Sequence, residues 1–70
     1  VHLLLVPKKH IDSVNHLCDD DVALIGRIVC LAPQIAKDIG TQEGYKLLFN
    51  VGRKGGQIVD HVHLHLMGGW

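Results

Sequence analysis

The last part of the chain contains three histidines that alternate with aliphatic residues, in the segment His61-Val62-His63-Leu64-His65-Leu66-Met67. Successive side chains of a β-strand point to opposite faces, so His61, His63 and His65 share one face. The aliphatic residues between them share the other face, which predicts a strand buried on one side only. Each imidazole carries a donor and an acceptor that burial would leave to be satisfied. The histidine face is therefore predicted to be a functional site.

Length and composition limit what kind of protein this is. Seventy residues allow one small domain. A net charge of zero with histidine neutral argues against nucleic-acid binding, which needs a basic excess. No apolar run reaches the roughly 18 residues of a membrane span, so no membrane partner is expected. Two cysteines without metal-type spacing fit a reducing compartment, and we expect a cytoplasmic protein.

The hydrophobic pattern predicts an α+β fold. Short runs at 2–6 and 45–51 indicate two strands that accompany the histidine strand. Between them, three aspartates (Asp19, Asp20 and Asp21) can cap and open a helix that Gly40 ends. Its apolar positions recur every three or four residues. They are Val22, Ile25, Ile28, Val29, Ala32, Ile35, Ala36 and Ile39. We expect an antiparallel sheet with one main helix packed on a face, and the broad stripe indicates a homodimer.

Single residues along this pattern give further expectations. Pro33 predicts a kink, or a helix split near Ala32, because it removes one helical hydrogen bond. Cys30 is expected in the core. Lys8 and Lys9 are expected in a solvated turn.

An imidazole in this strand could act as a nucleophile. Imidazole is a nucleophile that is largely neutral at pH 7. The attacking ring needs one bare nitrogen, so its other nitrogen must be protonated and held by an acceptor, for which a backbone carbonyl is suitable. A neighbouring imidazole can then stabilise charge that grows on the phosphate.

The triad segment resembles the signature of the histidine-triad (HIT) family of nucleotide hydrolases and transferases. Upstream, the segment 5–10 is similar to the strand and turn that precede the family's central helix. The residues before the triad resemble the nucleoside phosphoramidate hydrolase (Hint-like) branch at Gly44-Tyr45, Asn50 and Gly55-Gly56-Gln57. The resemblance implies that residues 1–70 are the C-terminal portion of a HIT domain that is incomplete at both ends. It also implies a homodimer, a purine nucleotide substrate similar to AMP or GMP, and no cofactor or metal.

The same resemblance implies a mechanism and a set of site residues. The expected reaction is hydrolysis of purine nucleoside 5′-phosphoramidates through a nucleotidyl intermediate on His63. His65 would contact the phosphate and leaving group, His61 would orient the site, and His2 would approach from the adjacent strand. The expected substrate-binding residues are Asn50, Gly56, Gln57, Ile58, His63, Leu64 and His65.

Two positions depart from the family pattern, and alternatives remain open. Ile58 stands where a serine often assists the leaving group, and Asp60 stands where an aromatic residue is expected. Because His-x-His pairs on strands can bind zinc, a zinc- or partner-binding module without catalysis is one alternative. A dinucleotide polyphosphate hydrolase of the same superfamily is another. Asn50 is equally compatible with a role in capping the turn after its strand.

Overall fold

The computed structural model describes all 70 residues and confirms the α+β class. Its main elements are β1 (His2–Leu5), α1 (Val22–Asp38), β2 (Tyr45–Leu48) and β3 (Leu64–Gly68), with 3-10 turns at Val14–His16, Asp19–Asp21 and Arg53–Gly55. The strands form one antiparallel sheet in the order β1-β3-β2, so the strand that carries the histidine motif is central. The single α-helix lacks the length and apolar content needed to cross a membrane.

Strand β3 has a closed face and an open face. Leu64 and Leu66 are 1% and 0% exposed, as the alternation predicts. On the opposite face, His65 lies directly between Leu4 of β1 and Leu48 of β2. Both leucines are exposed. Residues paired across strands share a face, so the open side of the sheet carries histidine within an apolar border.

Helix α1 covers the closed face through small residues. Ala32 and Ala36 are fully buried, which lets the helix axis come close to the sheet. The buried core cluster consists of Leu5, Ile28, Ala32, Ala36, Leu64 and Leu66. The buried stripe is narrower than predicted, since Val22 and Val29 are exposed.

The expectation for Cys30 is wrong, and so is the split of the helix that was one of the two alternatives for Pro33. Cys30 is exposed rather than in the core. It lies two positions from the buried Ile28, about 200° around the helix axis, and therefore on the solvent side. The helix is also unbroken at Pro33. Pro33 and Val29, whose carbonyl loses its helical partner, are both exposed, so water can take the place of the missing hydrogen bond.

The strands are shorter than predicted, and the cause lies in the neighbours of β3. Strand β1 ends at Leu5, opposite Leu64, shortly before Pro7, which has no N–H to extend the ladder. Strand β2 ends at Leu48. His61 and His63 therefore precede the strand, in a segment held where the N–H of Val62 donates to the carbonyl of Ile11 at 2.6 Å.

The start of the helix depends on Asp21. The three aspartates form a 3-10 turn before α1 rather than its first turn. The carboxylate of Asp21 is buried and accepts from the backbone N–H of Cys18 at 3.1 Å. It also accepts from Nζ of Lys9 at 2.6 Å. Lys9 lies in an exposed turn, as expected, but its ion pair was not predicted. The hydrogen bond from Lys9, followed by that from Cys18, lowers the pKa of Asp21, and the same ion pair raises the pKa of Lys9.

Candidate active site

The ring of His63 is held in a defined orientation. Its Nδ1–H donates to the backbone carbonyl of His61 at 2.7 Å. With Nδ1 protonated, a neutral ring keeps a bare lone pair on Nε2, which has no hydrogen-bond partner in the protein. The ring is half-buried, so one edge remains open to a ligand. An imidazole with one nitrogen held and the other unbonded has the form that nucleophilic attack requires.

His65 and His2 form a ring-to-ring hydrogen bond across the β1–β3 ladder. Nε2 of His2 lies 2.7 Å from Nδ1 of His65, so one of the two nitrogens donates to the other. The second nitrogen of His65, Nε2, is buried without a partner. Burial, followed by the proximity of His63 and His2, lowers the pKa of His65. When Nδ1 of this neutral ring accepts from His2, Nε2 carries an unsatisfied N–H.

The first histidine of the motif is directed away from the other two. Nε2 of His61 donates to the carbonyl of Pro7 at 3.0 Å. The ring of His10 lies against it, with 4.8 Å between centroids, and Nε2 of His10 is 2.6 Å from Asp12 Oδ1. The side chain of His61 thus joins the motif to the turn after β1, while its carbonyl orients His63. The contact of His10 with His61 is long-range, and no local pattern indicated it.

The arrangement of the histidines does not favour zinc. No group of three or more histidine, cysteine or carboxylate side chains is gathered in a way that could hold a metal ion.

The glycine-rich turn before the motif is closed by Asn50. Its Nδ2 donates to the carbonyl of Gly55 at 2.8 Å, which is the turn-capping role left open by the sequence. Gly56 has a φ of +90°, in the left-handed region that favours glycine. A Cβ at Gly56 would also lie 3.2 Å from Asn50 Nδ2.

Gln57 connects three segments and is only 3% exposed. Its Oε1 accepts from the N–H of Gly52 at 3.0 Å. Its Nε2 donates to the carbonyls of Asp12 at 2.5 Å and Val59 at 2.9 Å. Its backbone N–H donates to the carbonyl of Gly52. Every donor of Gln57 is therefore used inside the protein, which gives this expected binding residue a structural role.

Two other expected binding residues differ in environment. The side chain of Ile58 is 82% exposed, whereas that of Leu64 is in the core, so only the backbone of Leu64 could meet a ligand. No sequence pattern indicated a role for Arg53. Its guanidinium donates to the carbonyls of Gln57 and Ile58 and to the carboxylate of Asp60.

A small cavity adjoins the motif. It has a volume of about 130 Å³ and is lined by Leu4, Val6, Val59, His61 and His63. This volume is well below the roughly 300 Å³ at which pockets for drug-sized ligands begin, so it fits a part of a nucleotide rather than the whole molecule.

Comparison with known proteins connects this geometry to a family. Protein HitA of Neisseria gonorrhoeae is 46% identical over 68 residues, which cover 97% of this chain and 64% of that protein. The crystal structure of a HIT family hydrolase from Legionella pneumophila Philadelphia 1 superimposes with a TM-score of 0.96 at 49% identity, covering all of this chain and 63% of that one. A more distant neighbour is the diadenosine triphosphate hydrolase of Plasmodium falciparum, with a TM-score of 0.69 and 26% identity over 99% of this chain and 47% of that chain.

The chain thus spans less than two thirds of the length of these relatives. The family model of the HIT domain nevertheless matches it without interruption from residue 1 to residue 70. With a match along its whole length, and with a histidine motif that leads into the central strand of the sheet, this chain belongs to the HIT family.

Proposed function

We propose that the protein hydrolyses purine nucleoside 5′-phosphoramidates, with His63 as the nucleophile. The observation that carries the proposal is the hydrogen bond from Nδ1 of His63 to the carbonyl of His61, which leaves Nε2 bare. The hydrolases among its structural neighbours support the general class of reaction.

The first step exchanges one bond at phosphorus for another. Nε2 of His63 donates its lone pair to the α-phosphorus, and the P–N bond to the amine breaks. The amine leaves with the electron pair of that bond and takes up a proton. The ring becomes a cationic nucleotidyl-imidazolium, whose Nδ1–H stays bonded to the carbonyl of His61. The carbonyl dipole stabilises this positive charge.

His65 is placed to assist this step. The buried N–H that Nε2 of His65 carries when Nδ1 accepts from His2 has no acceptor in the protein. An unsatisfied donor is costly, so it gains from a phosphate oxygen or from the leaving group. In the second step water attacks phosphorus and releases one proton to solvent, which balances the proton that the amine took up from solvent in the first step. The P–N bond to His63 breaks, and its electron pair returns to Nε2.

Trapping the intermediate tests the proposal directly. The full-length protein is mixed with adenosine 5′-phosphoramidate, quenched in denaturant within milliseconds to seconds, and digested for mass spectrometry. We expect an adenylyl group on the peptide that contains His63, and none in a His63→Ala variant. Turnover of the substrate by the parent without any adduct, or with an adduct on another residue, would contradict the assignment.

A dinucleotide polyphosphate hydrolase is the second candidate, and it is favoured by one observation. The neighbour from Plasmodium falciparum that hydrolyses diadenosine triphosphate shares the fold over 99% of this chain. Both reactions use the same attack, so a substrate panel separates them. A kcat/KM for diadenosine triphosphate at least tenfold above that for adenosine phosphoramidate would select this candidate.

We also propose that the protein is a homodimer. Helix α1 exposes three large apolar side chains, those of Val22, Val29 and Leu31, and a chain of this size buries little surface alone. Sedimentation equilibrium of the full-length protein should give twice the protomer mass at micromolar concentration. A protomer mass under these conditions would contradict the proposal.

A further inference from the structure

The segment that leads into the histidine motif has three successive carbonyls that all accept hydrogen bonds from within the protein. The carbonyls of Gln57 and Ile58 accept from the guanidinium of Arg53, the first at 3.0 Å. The carbonyl of Val59 accepts from the side-chain amide of Gln57 at 2.9 Å and from the N–H of His61 at 2.9 Å. The other guanidinium nitrogen of Arg53 donates to Asp60 at 3.0 Å. Arg53 thus closes the loop 53–60 into a ring.

Holding the carbonyls also fixes where the N–H groups point. In a planar trans peptide the N–H is directed opposite to the C=O of the same unit. The N–H groups of Ile58 and Val59 therefore point away from Arg53, and neither has an acceptor in the protein. Both residues are exposed, so these donors face solvent just ahead of the motif. Successive backbone N–H groups directed outward attract an anion.

We propose that Arg53 is a positioning residue that orients the N–H groups of Ile58 and Val59 toward the phosphate of the substrate. This inference rests on the proposed function, since it takes the anion to be the nucleotide phosphate. In this role Arg53 acts through the two carbonyls and Asp60, which take three of its five N–H donors, and not through contact with the substrate.

Arginine is suited to this role because of its shape. Its rigid fork of five donors can serve three acceptors at once, whereas the ammonium of lysine is a point charge on a flexible stem. Arg53 and Asp60 are both well exposed, and an exposed ion pair contributes little to stability. The loss of Arg53 should therefore change phosphate binding far more than it changes folding.

Asp60 takes part in the same arrangement. It occupies the position where the family pattern has an aromatic residue, and its carboxylate holds the outer nitrogen of Arg53. Ile58 replaces the serine of the pattern, yet the backbone N–H of Ile58 is one of the two oriented donors. Both departures from the family pattern thus lie in the ring that Arg53 closes.

The test compares AMP with adenosine, since only AMP carries the phosphate. Binding of each to the full-length protein is measured by isothermal titration calorimetry for the parent, Arg53→Ala and Arg53→Lys. Both variants should bind AMP about tenfold more weakly, as expected for weakened hydrogen bonds to a charged group. Adenosine binding should stay within about twofold, and the melting temperature should be unchanged. Lys54→Ala is the matched control, because it removes the same charge from the next residue, which makes no hydrogen bond.

An NMR titration of the parent supplies a second readout that needs no variant. The amide signals of Ile58 and Val59 should shift on addition of AMP, and should not shift with adenosine. In Arg53→Lys the shift should shrink, although the positive charge is kept.

Several results would overturn the inference while leaving the proposed function in place. One such result is equal AMP affinity in the parent and in Arg53→Ala. Another is an equal loss of affinity for AMP and for adenosine in Arg53→Ala. AMP affinity fully restored in Arg53→Lys, or lost in Lys54→Ala as much as in Arg53→Ala, would also contradict the inference. A parent that forms the His63 adduct but shows no AMP-induced shift at Ile58 or Val59 would do the same. A parent that binds no AMP and forms no adduct would instead overturn the proposed function, and this inference with it.

Discussion

The two faces of β3 are built from neighbouring residues but are held by different physics. On the closed face, Leu64 and Leu66 are buried against the alanines of α1 and make only apolar contacts. On the open face, His65 lies in a chain of hydrogen bonds and ring contacts that also includes His63 and His2. One face contributes free energy of folding, and the other leaves polar atoms unused. In this strand, the alternation of side chains between two faces is enough to separate the residues that stabilise the fold from those available for chemistry.

The two faces differ in which defects they tolerate. The closed face is destabilised by cavities and by overpacking, because protein interiors are close-packed. The open face keeps an orphan nitrogen on His65 and a bare one on His63, which would be defects in a core. Substitutions on the two faces should therefore produce opposite combinations of stability and activity.

The largest effect should come from His63→Ala. Removing the nucleophile should lower kcat for adenosine phosphoramidate by on the order of 10⁴-fold or more, as losses of catalytic nucleophiles do. The melting temperature should change little, because the ring is only half-buried. Steady-state kinetics and calorimetry measure the two quantities, with the exposed His16→Ala as control. A variant that unfolds, or one that keeps parental turnover, would contradict the view that the closed face supplies stability and the open face supplies chemistry.

Leu66→Ala should show the reverse combination. Truncating a fully buried leucine leaves a cavity and should lower the free energy of unfolding by about 2–5 kcal/mol. Leu48→Ala is the matched control, since Leu48 is 45% exposed on the open face, and it should cost less than about 1 kcal/mol. Urea denaturation of the full-length proteins measures both. Equal costs would show that the open face is covered as tightly as the closed one.

Ala36→Leu tests how closely the helix and the sheet pack on the closed face. Ala36 is fully buried between α1 and the sheet, so three added carbons must displace the helix or adopt poor rotamers. We expect a loss of about 1–3 kcal/mol from overpacking. The exposed Ala23→Leu is the control and should be close to neutral. A stabilised Ala36→Leu would mean that the helix and sheet do not pack closely here.

The smallest effect concerns the pH dependence of the open face. Burial, His63 and His2 lower the pKa of His65 below its ordinary value near 6.5. As pH falls below about 6.5, His65 takes up a proton in the unfolded chain but stays neutral in the folded protein. The free energy of unfolding should therefore decrease until the pH reaches the pKa of His65 in the folded protein. His2→Ala removes one of the causes, and the pKa of His65 should rise. NMR titration of the ring signals measures it; an unchanged or lower pKa would show that His2 does not act on His65.

The sequence predicted what depends on local alternation. The period of two in the motif predicted the buried side of β3, and the three- and four-residue spacing predicted α1. The same spacing did not decide how wide the buried stripe would be, since that depends on how closely the alanines let the helix approach. Cys30 was misplaced for another reason: its apolar character favoured the core, although the helical period puts it about 200° from Ile28. The unbroken helix at Pro33 was missed because the cost of a lost hydrogen bond depends on access of water, which a sequence does not show.

Contacts between distant segments were beyond local patterns. The bond between Lys9 and Asp21 joins two turns, and the amide of Gln57 reaches Asp12, 45 positions earlier in the chain. Each residue alone is an ordinary polar residue of a loop. Resemblance to the family supplied the list of site residues. It did not indicate that every donor of Gln57 bonds within the protein, or that Arg53 holds the loop 53–60 by hydrogen bonds.

The central position of β3 has a consequence for how the molecule opens. Its backbone is bonded on both sides, to β1 and to β2, so neither edge strand can separate without leaving it paired to the other. Amide hydrogen exchange in such a strand proceeds only through the rarest, global opening, whereas edge strands fray in smaller events. His65, which lies within β3, should thus keep its backbone position during breathing motions that briefly release His2.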